Sequence, residues 1–363
     1  MTTALLVIAI LVVLIVAHEF GHFIAAKLFK VRVEEFGVGY PPRAFLFGKI
    51  GGTEYTFNWL PFGGFVRLFG DEGEVEHGRG SFADAQRHVQ ATILVAGVVA
   101  NAVLAWGLFA GALALGIPRV VDSPRLGETA HLVVADVVAG SPAEAAGISS
   151  GDEITDIRDD NATELAQLTP GTVMDFVRAR GGKQILVSYE RAGTTTVVAL
   201  RPAHAVIEDN AGRPAIGIAL VLVSRDALPF GEALKESFFR TGDAFRQVGA
   251  GLWSILHGVF AGRPNLSDVV GPVGLVGVVS DAASHGFANV LALAGFISVN
   301  LAIINLIPIP ALDGGRIFLL AIEAIHRRRA PRLFVQMLNL LGVVLIGLLM
   351  ITVTYHDIAR LFS

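Results

Sequence analysis

The chain has 363 residues, of which 53% are hydrophobic and only 17% are charged. This composition is too apolar for an ordinary soluble protein and favours a chain that lies partly within a membrane. The net charge of −4 gives no support for a nucleic-acid partner, and we expect none. Cysteine is absent, which excludes disulfides and thiolate zinc ligands and leaves His, Asp and Glu to hold any metal.

Four segments lack Asp, Glu, Lys and Arg over lengths that suffice, or nearly suffice, to cross a bilayer. They are residues 2–17, 91–118, 286–312 and 333–355. The first has no basic region before it and continues into a polar motif, so it does not resemble a cleaved signal peptide. These segments predict a polytopic α-helical membrane protein with four transmembrane helices.

The motif His-Glu-Phe-Gly-His follows the first apolar run directly and occupies residues 18–22. Positions i and i+4 of a helix share a face, so His18 and His22 can bind one zinc ion. Glu19 lies beside them and is placed to take a proton from the attacking water. Because ionisable groups at membrane depth are costly, they mark a functional site by default. The motif therefore predicts a zinc protease whose active site lies within the membrane.

Residues 43–70 predict a β-hairpin that is unusually apolar for a loop. Within it, residues 53–60 form a strand with Tyr55, Phe57 and Trp59 on one face. The hairpin either lies on the cytoplasmic surface or re-enters the membrane, where sheet edges are tolerated if they line a cavity or are buried in protein.

The second span carries Gly97 and Asn101 on one helix face, and Asn101 is explained simply by helix–helix hydrogen bonding. The third span ends in a stretch with two prolines and two glycines, residues 305–315, which predicts a broken helix at membrane depth. Asp313 is the first charge after this apolar run. It either caps a helix or supplies the third zinc ligand, and the presence of the HEFGH motif favours the ligand.

A β-rich soluble domain is predicted over residues 119–204, between membrane-core parts at residues 1–118 and 286–363. Residues 205–285 then form a linker. Within this linker, residues 228–260 show the three-four apolar spacing of an amphipathic helix. That helix either lies on the outer leaflet or packs on the soluble domain.

Positive charge predicts the orientation of the chain in the membrane. Lys and Arg residues concentrate in the loop between the first two spans and in the loop between the last two, which contains Arg327, Arg328, Arg329 and Arg332. Both loops are therefore expected to be cytoplasmic. Both termini and the soluble domain are then extracytoplasmic.

These motifs together resemble the site-2 protease family of intramembrane zinc metalloproteases, in particular the bacterial regulator of sigma-E protease branch. The resemblance covers nearly the whole chain. It rests on HEFGH at residues 18–22, on Asn-Leu-Ile-Pro-Ile-Pro-Ala-Leu-Asp at residues 305–313, and on Gly-x-x-x-Asn at residues 97–101. Val98 stands where many bacterial members have proline. Residues 53–68 resemble the family's membrane re-entrant β-loop, and residues 130–203 resemble a single inserted PDZ domain.

The resemblance implies one zinc per chain, held by His18, His22 and Asp313, with Glu19 as the base. It implies that Asn305 holds the substrate backbone or the reaction oxyanion. It also implies that an unwound substrate pairs with the strand at residues 53–60. Seven residues are the candidate substrate contacts: Thr53, Glu54, Tyr55, Thr56, Phe57, Asn58 and Asn101.

The implied setting is a bacterial inner membrane, with single-pass transmembrane proteins or peptides as substrates and the lipid bilayer as a partner. Anti-sigma factors and signal-peptide remnants both fit as substrates. The alternatives are a catalytically inactive zinc-binding scaffold that holds membrane clients with its PDZ domain, and a metal transporter. Glu19 argues against the scaffold, because an inactive protein has no need of a base.

Overall fold

A computed structural model of the chain describes residues 2–71, 78–125, 127–160, 165, 167–204, 212–261, 270–328 and 330–361. Arg329 of the arginine cluster and two parts of the predicted linker, residues 205–211 and 262–269, lie outside this set. The chain forms two compact units, Met1–Leu115 with Leu228–Ser363 as unit 1 and Gly116–Ala227 as unit 2. The helices and strands of the described residues are bounded as follows.

The helices are α1 (Thr2–Leu28), α2 (Arg87–Ala114), α3 (Pro142–Ala145), α4 (Pro170–Arg178), α5 (Phe230–Phe260), α6 (Pro272–Ser284), α7 (Phe287–Leu306), α8 (Asp313–His326) and α9 (Arg332–Leu361). The strands are β1 (Val33–Ile50), β2 (Thr53–Leu68), β3 (Arg119–Val121), β4 (Ala130–Val137), β5 (Glu153–Asp159), β6 (Ile185–Arg191), β7 (Thr194–Leu200) and β8 (Ile218–Ser224).

Four helices in the described part of the chain are long and apolar enough to cross a membrane, as predicted: Thr2–Leu28, Arg87–Ala114, Phe287–Leu306 and Leu333–Arg360. The predicted break in the third span is also confirmed, since α7 ends at Leu306. The chain then turns through residues 307–312 before α8 begins at Asp313. The helices α6 and α8 are not predicted from the sequence, because their apolar residues merge with those of the neighbouring spans.

The predicted hairpin is larger than expected and curls back on itself. The first part of β1 pairs with both ends of β2, since Phe36 lies opposite both Val66 and Tyr55. The second part of β1 pairs with β2 again, with Phe45 opposite Phe57. The spatial order of the segments is therefore 64–68, 33–40, 54–60 and 43–50. The face with Phe36 and Tyr55 packs against Phe23 of α1.

This pairing contradicts one expectation from the sequence. Residues 53–60 were expected to leave a backbone edge free for substrate, which is wrong because residues 54–57 are paired on both sides. The two outer segments of the sheet are 64–68 and 43–50. The reason is non-local: the first part of β1 inserts between the two ends of β2, and nothing in the alternation of residues 53–60 signals a partner on either side.

Unit 2 is β-rich, as predicted, but extends beyond residue 204. Its sheet has the order β3-β8-β4-β5-β6-β7. The last strand in sequence, β8, lies between β3 and β4 and therefore completes the sheet from inside the predicted linker. The core of this unit includes Ile157, Ile185 and Val187, none of which is accessible to solvent.

The amphipathic helix predicted at residues 228–260 is present as α5. It packs through Ala244 against Ala105 and Phe109 of α2 and Val299 of α7. The indole nitrogen of Trp106 donates a hydrogen bond of 2.8 Å to the carbonyl of Leu234. The helix is thus part of the helical unit, a packing that the sequence analysis did not predict.

Candidate metal centre

The two histidines of the HEFGH motif lie on one face of α1, as the i, i+4 spacing requires, and both are buried. Their Nε2 atoms are 3.1 Å apart. Aspartate 313, the first residue of α8, brings Oδ2 to 2.9 Å from the Nε2 atom of His18 and 3.2 Å from that of His22. Residues 295 positions apart in the chain therefore converge at one point.

These three side chains fit a zinc ion. Zinc bonds to nitrogen and oxygen are about 2.1 Å long, so the ligands of a tetrahedral site lie roughly 3.4 Å apart. The observed separations of 2.9, 3.1 and 3.2 Å need to open by only a few tenths of an ångström. Among the described residues, this is the group of His, Asp and Glu side chains with metal-binding geometry. Three ligands leave a fourth position open, which is the pattern of a catalytic zinc site.

The imidazole of His22 is oriented by the backbone of α2. Its Nδ1 donates a hydrogen bond of 2.7 Å to the carbonyl of Ile93. That bond fixes the tautomer that leaves the Nε2 lone pair directed at the metal position. A ligand held in this way needs little reorganisation to bind a metal.

The imidazole of His18 is oriented by Asn101. The Nδ2 atom of Asn101 lies 3.4 Å from Nδ1 of His18, and Oδ1 of Asn101 is buried with no hydrogen-bond partner among the described residues. Amide oxygen and nitrogen are assigned from such networks, and exchanging them lets Oδ1 accept a hydrogen bond from the N–H at Nδ1 of His18. His18 then presents Nε2 to the metal, and the orphaned oxygen is satisfied.

A glycine of α2 makes room for both imidazoles. A Cβ atom at Gly97 would lie 2.5 Å from Nε2 of His22 and 2.7 Å from Cε1 of His18. Close to this point, Gly21 of α1 lies against the backbone carbonyl of Ala96 in α2. A Cβ atom at Gly21 would lie 2.3 Å from that carbonyl oxygen. The two helices therefore cross with backbones in contact, and the metal position lies at this crossing.

The side chain of Glu19 lies against the edge of the β-sheet, close to the backbone of Val66. A Cβ atom at Gly64 would lie 3.4 Å from Cγ of Glu19, so this strand passes directly over the side chain. The base is therefore placed by β2 and not only by the helix that carries it.

The side-chain amide of Asn305, near the end of α7, lies 3.4 Å from Nε2 of His18. Asn305 is predicted to hold the substrate or the oxyanion, and the structure brings its side chain to the metal position. Asn305 is only partly buried, so it can face a bound substrate as well.

The predicted substrate contacts of the hairpin divide into two groups. Thr53, Thr56 and Asn58 are buried, and each donates a hydrogen bond inside the sheet: to the carbonyl of Val33, to the carboxylate of Glu35 and to the carbonyl of Gly39. Their side chains therefore stabilise the sheet. Glu54, Tyr55 and Phe57 are not buried, and contact between them and substrate stays a prediction.

Asn101 has no exposed surface and contacts His18, so contact between Asn101 and substrate stays a prediction. Sequence reasoning missed the roles of Gly64 and Ile93, because both act through the backbone, which carries no sequence signal. The sequence pattern pairs Gly97 with Asn101. The space that Gly97 leaves for the two imidazoles is visible only once α1 and α2 are seen to cross.

The chain is similar to known metalloproteases over nearly its whole length. The model of Peptidase family M50 matches residues 6–349. A metalloprotease homologue of Clostridium perfringens is 36% identical over 349 residues, which cover 95% of each chain. Zinc metalloprotease RasP of Shouchella clausii is 27% identical over the full length of both chains, each covered to 100%. The PDZ domain of the SdrC-like protein of Listeria monocytogenes is 24% identical and covers 24% of this chain and 85% of its own, with a TM-score of 0.20.

The fold, the metal centre and these relatives define the class: a zinc metalloprotease of the site-2 type, built into helices of membrane-spanning length. The chain belongs to Peptidase family M50.

Proposed function

We propose that the protein hydrolyses peptide bonds within transmembrane segments of membrane proteins, with one zinc per chain held by His18, His22 and Asp313. The observation that carries the proposal is the convergence of three ligands beside a carboxylate, at the crossing of two helices of membrane-spanning length. Anti-sigma-factor-like proteins and signal-peptide remnants are the proposed substrates, since both present such segments.

Purified protein should therefore contain one zinc per chain, and Asp313→Ala should lose most of it. Removing one of three ligands leaves only two protein ligands, and their affinity is too weak to retain the metal through purification. Elemental analysis of both proteins, with protein concentration from amino-acid analysis, measures the ratio. Full zinc retention in Asp313→Ala would remove Asp313 from the ligand set.

The chemistry follows from the placement of the side chains. Zinc bound at this site would polarise the scissile carbonyl and lower the pKa of water to about 7. Glu19, which lies against Gly64 of β2, accepts the proton of the attacking water and passes it to the leaving amine. The side-chain amide of Asn305 donates to the oxygen that becomes negative in the transition state. Asn101 and the backbone carbonyl of Ile93 keep the imidazoles of His18 and His22 in the same orientation during the reaction.

A helical substrate hides its amides, so it must be extended before it is cut. We propose that the extended substrate pairs with the outer segment of the sheet at residues 64–68 and not with residues 53–60. This segment is the one beside Glu19, whereas the other outer segment, 43–50, is separated from it by two strands. Strands are about 4.8 Å apart, so a substrate on the far edge would lie well out of reach of the base. Strand addition supplies the backbone hydrogen bonds that unwinding removes.

Substrate peptides with single N-methylated amides test this pairing without altering the enzyme. Successive amide N–H groups of a strand point to opposite sides, so only every second one faces the enzyme strand. N-methylation of those amides should slow cleavage, whereas N-methylation of the intervening amides should have little effect. Cleavage rates of a series of such peptides, compared with the unmodified parent, give the pattern. A loss without this alternation would count against strand pairing.

We infer further that both termini and unit 2 are extracytoplasmic in a bacterial inner membrane, and that the arginine-rich loop at residues 327–332 is cytoplasmic. The charge distribution supports this orientation. A single cysteine at the exposed Thr195 of β7 should react with an impermeant maleimide from outside, since the chain has no other thiol. The neighbouring Ser188 is buried and unsuitable as a labelling position. Reaction at Thr195→Cys only after the inner face is opened would reverse the orientation.

A further inference from the structure

The third metal ligand is carried by a helix that has little packing of its own. Among the described residues of α8, only Gly314 and Gly315 are buried. Both lie against the preceding turn, where a Cβ atom would come within 2.3 Å of the carbonyl oxygens of Ile307 and Ile309 respectively. The position of the Asp313 carboxylate therefore depends on how the first turn of α8 is oriented. Beyond these two glycines, Ile317 adds partly buried apolar packing against the cluster that includes Ile93 and Leu94.

A charged pair provides a second attachment at this first turn. The guanidinium of Arg316 donates a hydrogen bond to the carboxylate of Asp71 and lies 5.5 Å from the ring centroid of Phe82. The side chain of Asp71 is only 9% exposed, and the ring of Phe82 is buried. The guanidinium is thus placed between a nearly buried carboxylate and an aromatic face, where it is partly shielded from solvent.

The residues that receive Arg316 are tied to the end of β2. The backbone N–H of Asp71 donates to the carbonyl of Leu68, the last residue of that strand, and the N–H of Phe82 donates to the carbonyl of Phe69. Within the same strand, Gly64 lies against the side chain of Glu19. The strand beside the base is therefore linked, through its end, to the residues that receive Arg316.

We propose that Arg316 and Asp71 are positioning residues. Their ion pair fixes the first turn of α8 against the end of β2, which places Asp313 within reach of His18 and His22. Since β2 also lies against Glu19, this strand relates the position of the third ligand to that of the base. This inference rests on the zinc centre of the proposed function. It assigns to the pair a contribution to metal affinity although neither residue touches the metal position.

The experiment measures the zinc Kd of the full-length protein in detergent by competition with a chelator. Asp71→Asn and Arg316→Gln should each raise the Kd about tenfold, at the lower end of the range found for residues that orient metal ligands. The double variant should be no weaker than either single variant, because the two side chains act as one unit. Arg316→Lys keeps the charge and should recover most of the affinity.

Arg180→Gln is a matched control in unit 2. Arg180 also pairs with an aspartate, Asp159, at 2.9 Å, and lies 3.5 Å from the ring centroid of Phe176. Its loss should leave the zinc Kd unchanged within about twofold. The unfolding temperature of each metal-free variant is also measured. A purely structural role of the pair would lower this temperature without changing the zinc Kd, whereas a positioning role raises the Kd.

Wild-type affinity in both single variants, a hundredfold loss in the double variant, or an equal loss in Arg180→Gln would each overturn the inference. Failure of the proposed function has a different signature. A wild-type protein that binds no zinc removes the metal centre itself, and the inference with it, whereas unchanged zinc binding in the variants removes only the role of the pair.

Discussion

Replacing Glu19 by Gln should abolish proteolysis while zinc content and fold stay intact. The substitution keeps the size of the side chain, so the contact with Gly64 is preserved, but the amide cannot accept the proton of the attacking water. General base catalysis typically contributes about 10²- to 10⁴-fold, so we expect the cleavage rate to fall by at least about 100-fold. The measurement is single-turnover cleavage of a transmembrane peptide, with zinc determined on the same sample.

Glu190→Gln, an exposed position on β6, is the matched control and should cleave normally. Near-normal cleavage by Glu19→Gln would contradict the mechanism and require another base. Loss of zinc together with activity would instead assign Glu19 to the metal. A wild-type protein that binds zinc but cleaves no membrane peptide would favour the inactive scaffold over the protease.

The second large effect is expected at Gly97. An alanine there would place Cβ 2.5 Å from Nε2 of His22 and 2.7 Å from Cε1 of His18, closer than such atoms approach one another. Because the backbones of α1 and α2 are already in contact near Gly21, the helices cannot separate without losing that crossing. The imidazoles must rotate away, and we expect the zinc Kd to rise by about 100-fold, the upper end of the range for disturbed ligand orientation.

Gly107 lies on the same helix, and a Cβ atom there would meet nothing within 4 Å. Gly107→Ala therefore controls for helix propensity, since alanine favours a helix interior by about 1 kcal/mol relative to glycine. The Kd of both variants is measured by chelator competition. Equal zinc affinity in Gly97→Ala and wild type would show that the crossing relaxes at little cost, and would remove Gly97 from the site.

The local parts of this protein are predictable from its sequence. The zinc motif depends on the spacing of His18 and His22 within one helix, and the four long helices depend on composition over about 20 residues. Both signals are contained in short stretches of chain. Asp313 was also predictable, because two prolines before it end the helix at membrane depth and leave one charge there.

The remaining features depend on contacts between distant segments. The sheet order could not be predicted, because Phe36 pairs with Val66 and Tyr55 at once and alternation specifies only which face a residue occupies. The extent of unit 2 was missed for the same reason, since β8 enters between β3 and β4. The packing of Glu19 against Gly64 also joins distant segments, and the local sequence gives no signal for it.

The distance along the chain between the parts of the metal centre has a consequence for biosynthesis. Two ligands, the base and the strand that holds it are all complete by residue 68, whereas the third ligand follows His18 by 295 residues. Between them the ribosome must make the whole of Gly116–Ala227. A nascent or truncated chain that ends before Asp313 has the general base but lacks a full ligand set. The order of synthesis thus delays completion of the ligand set until unit 2 has been made.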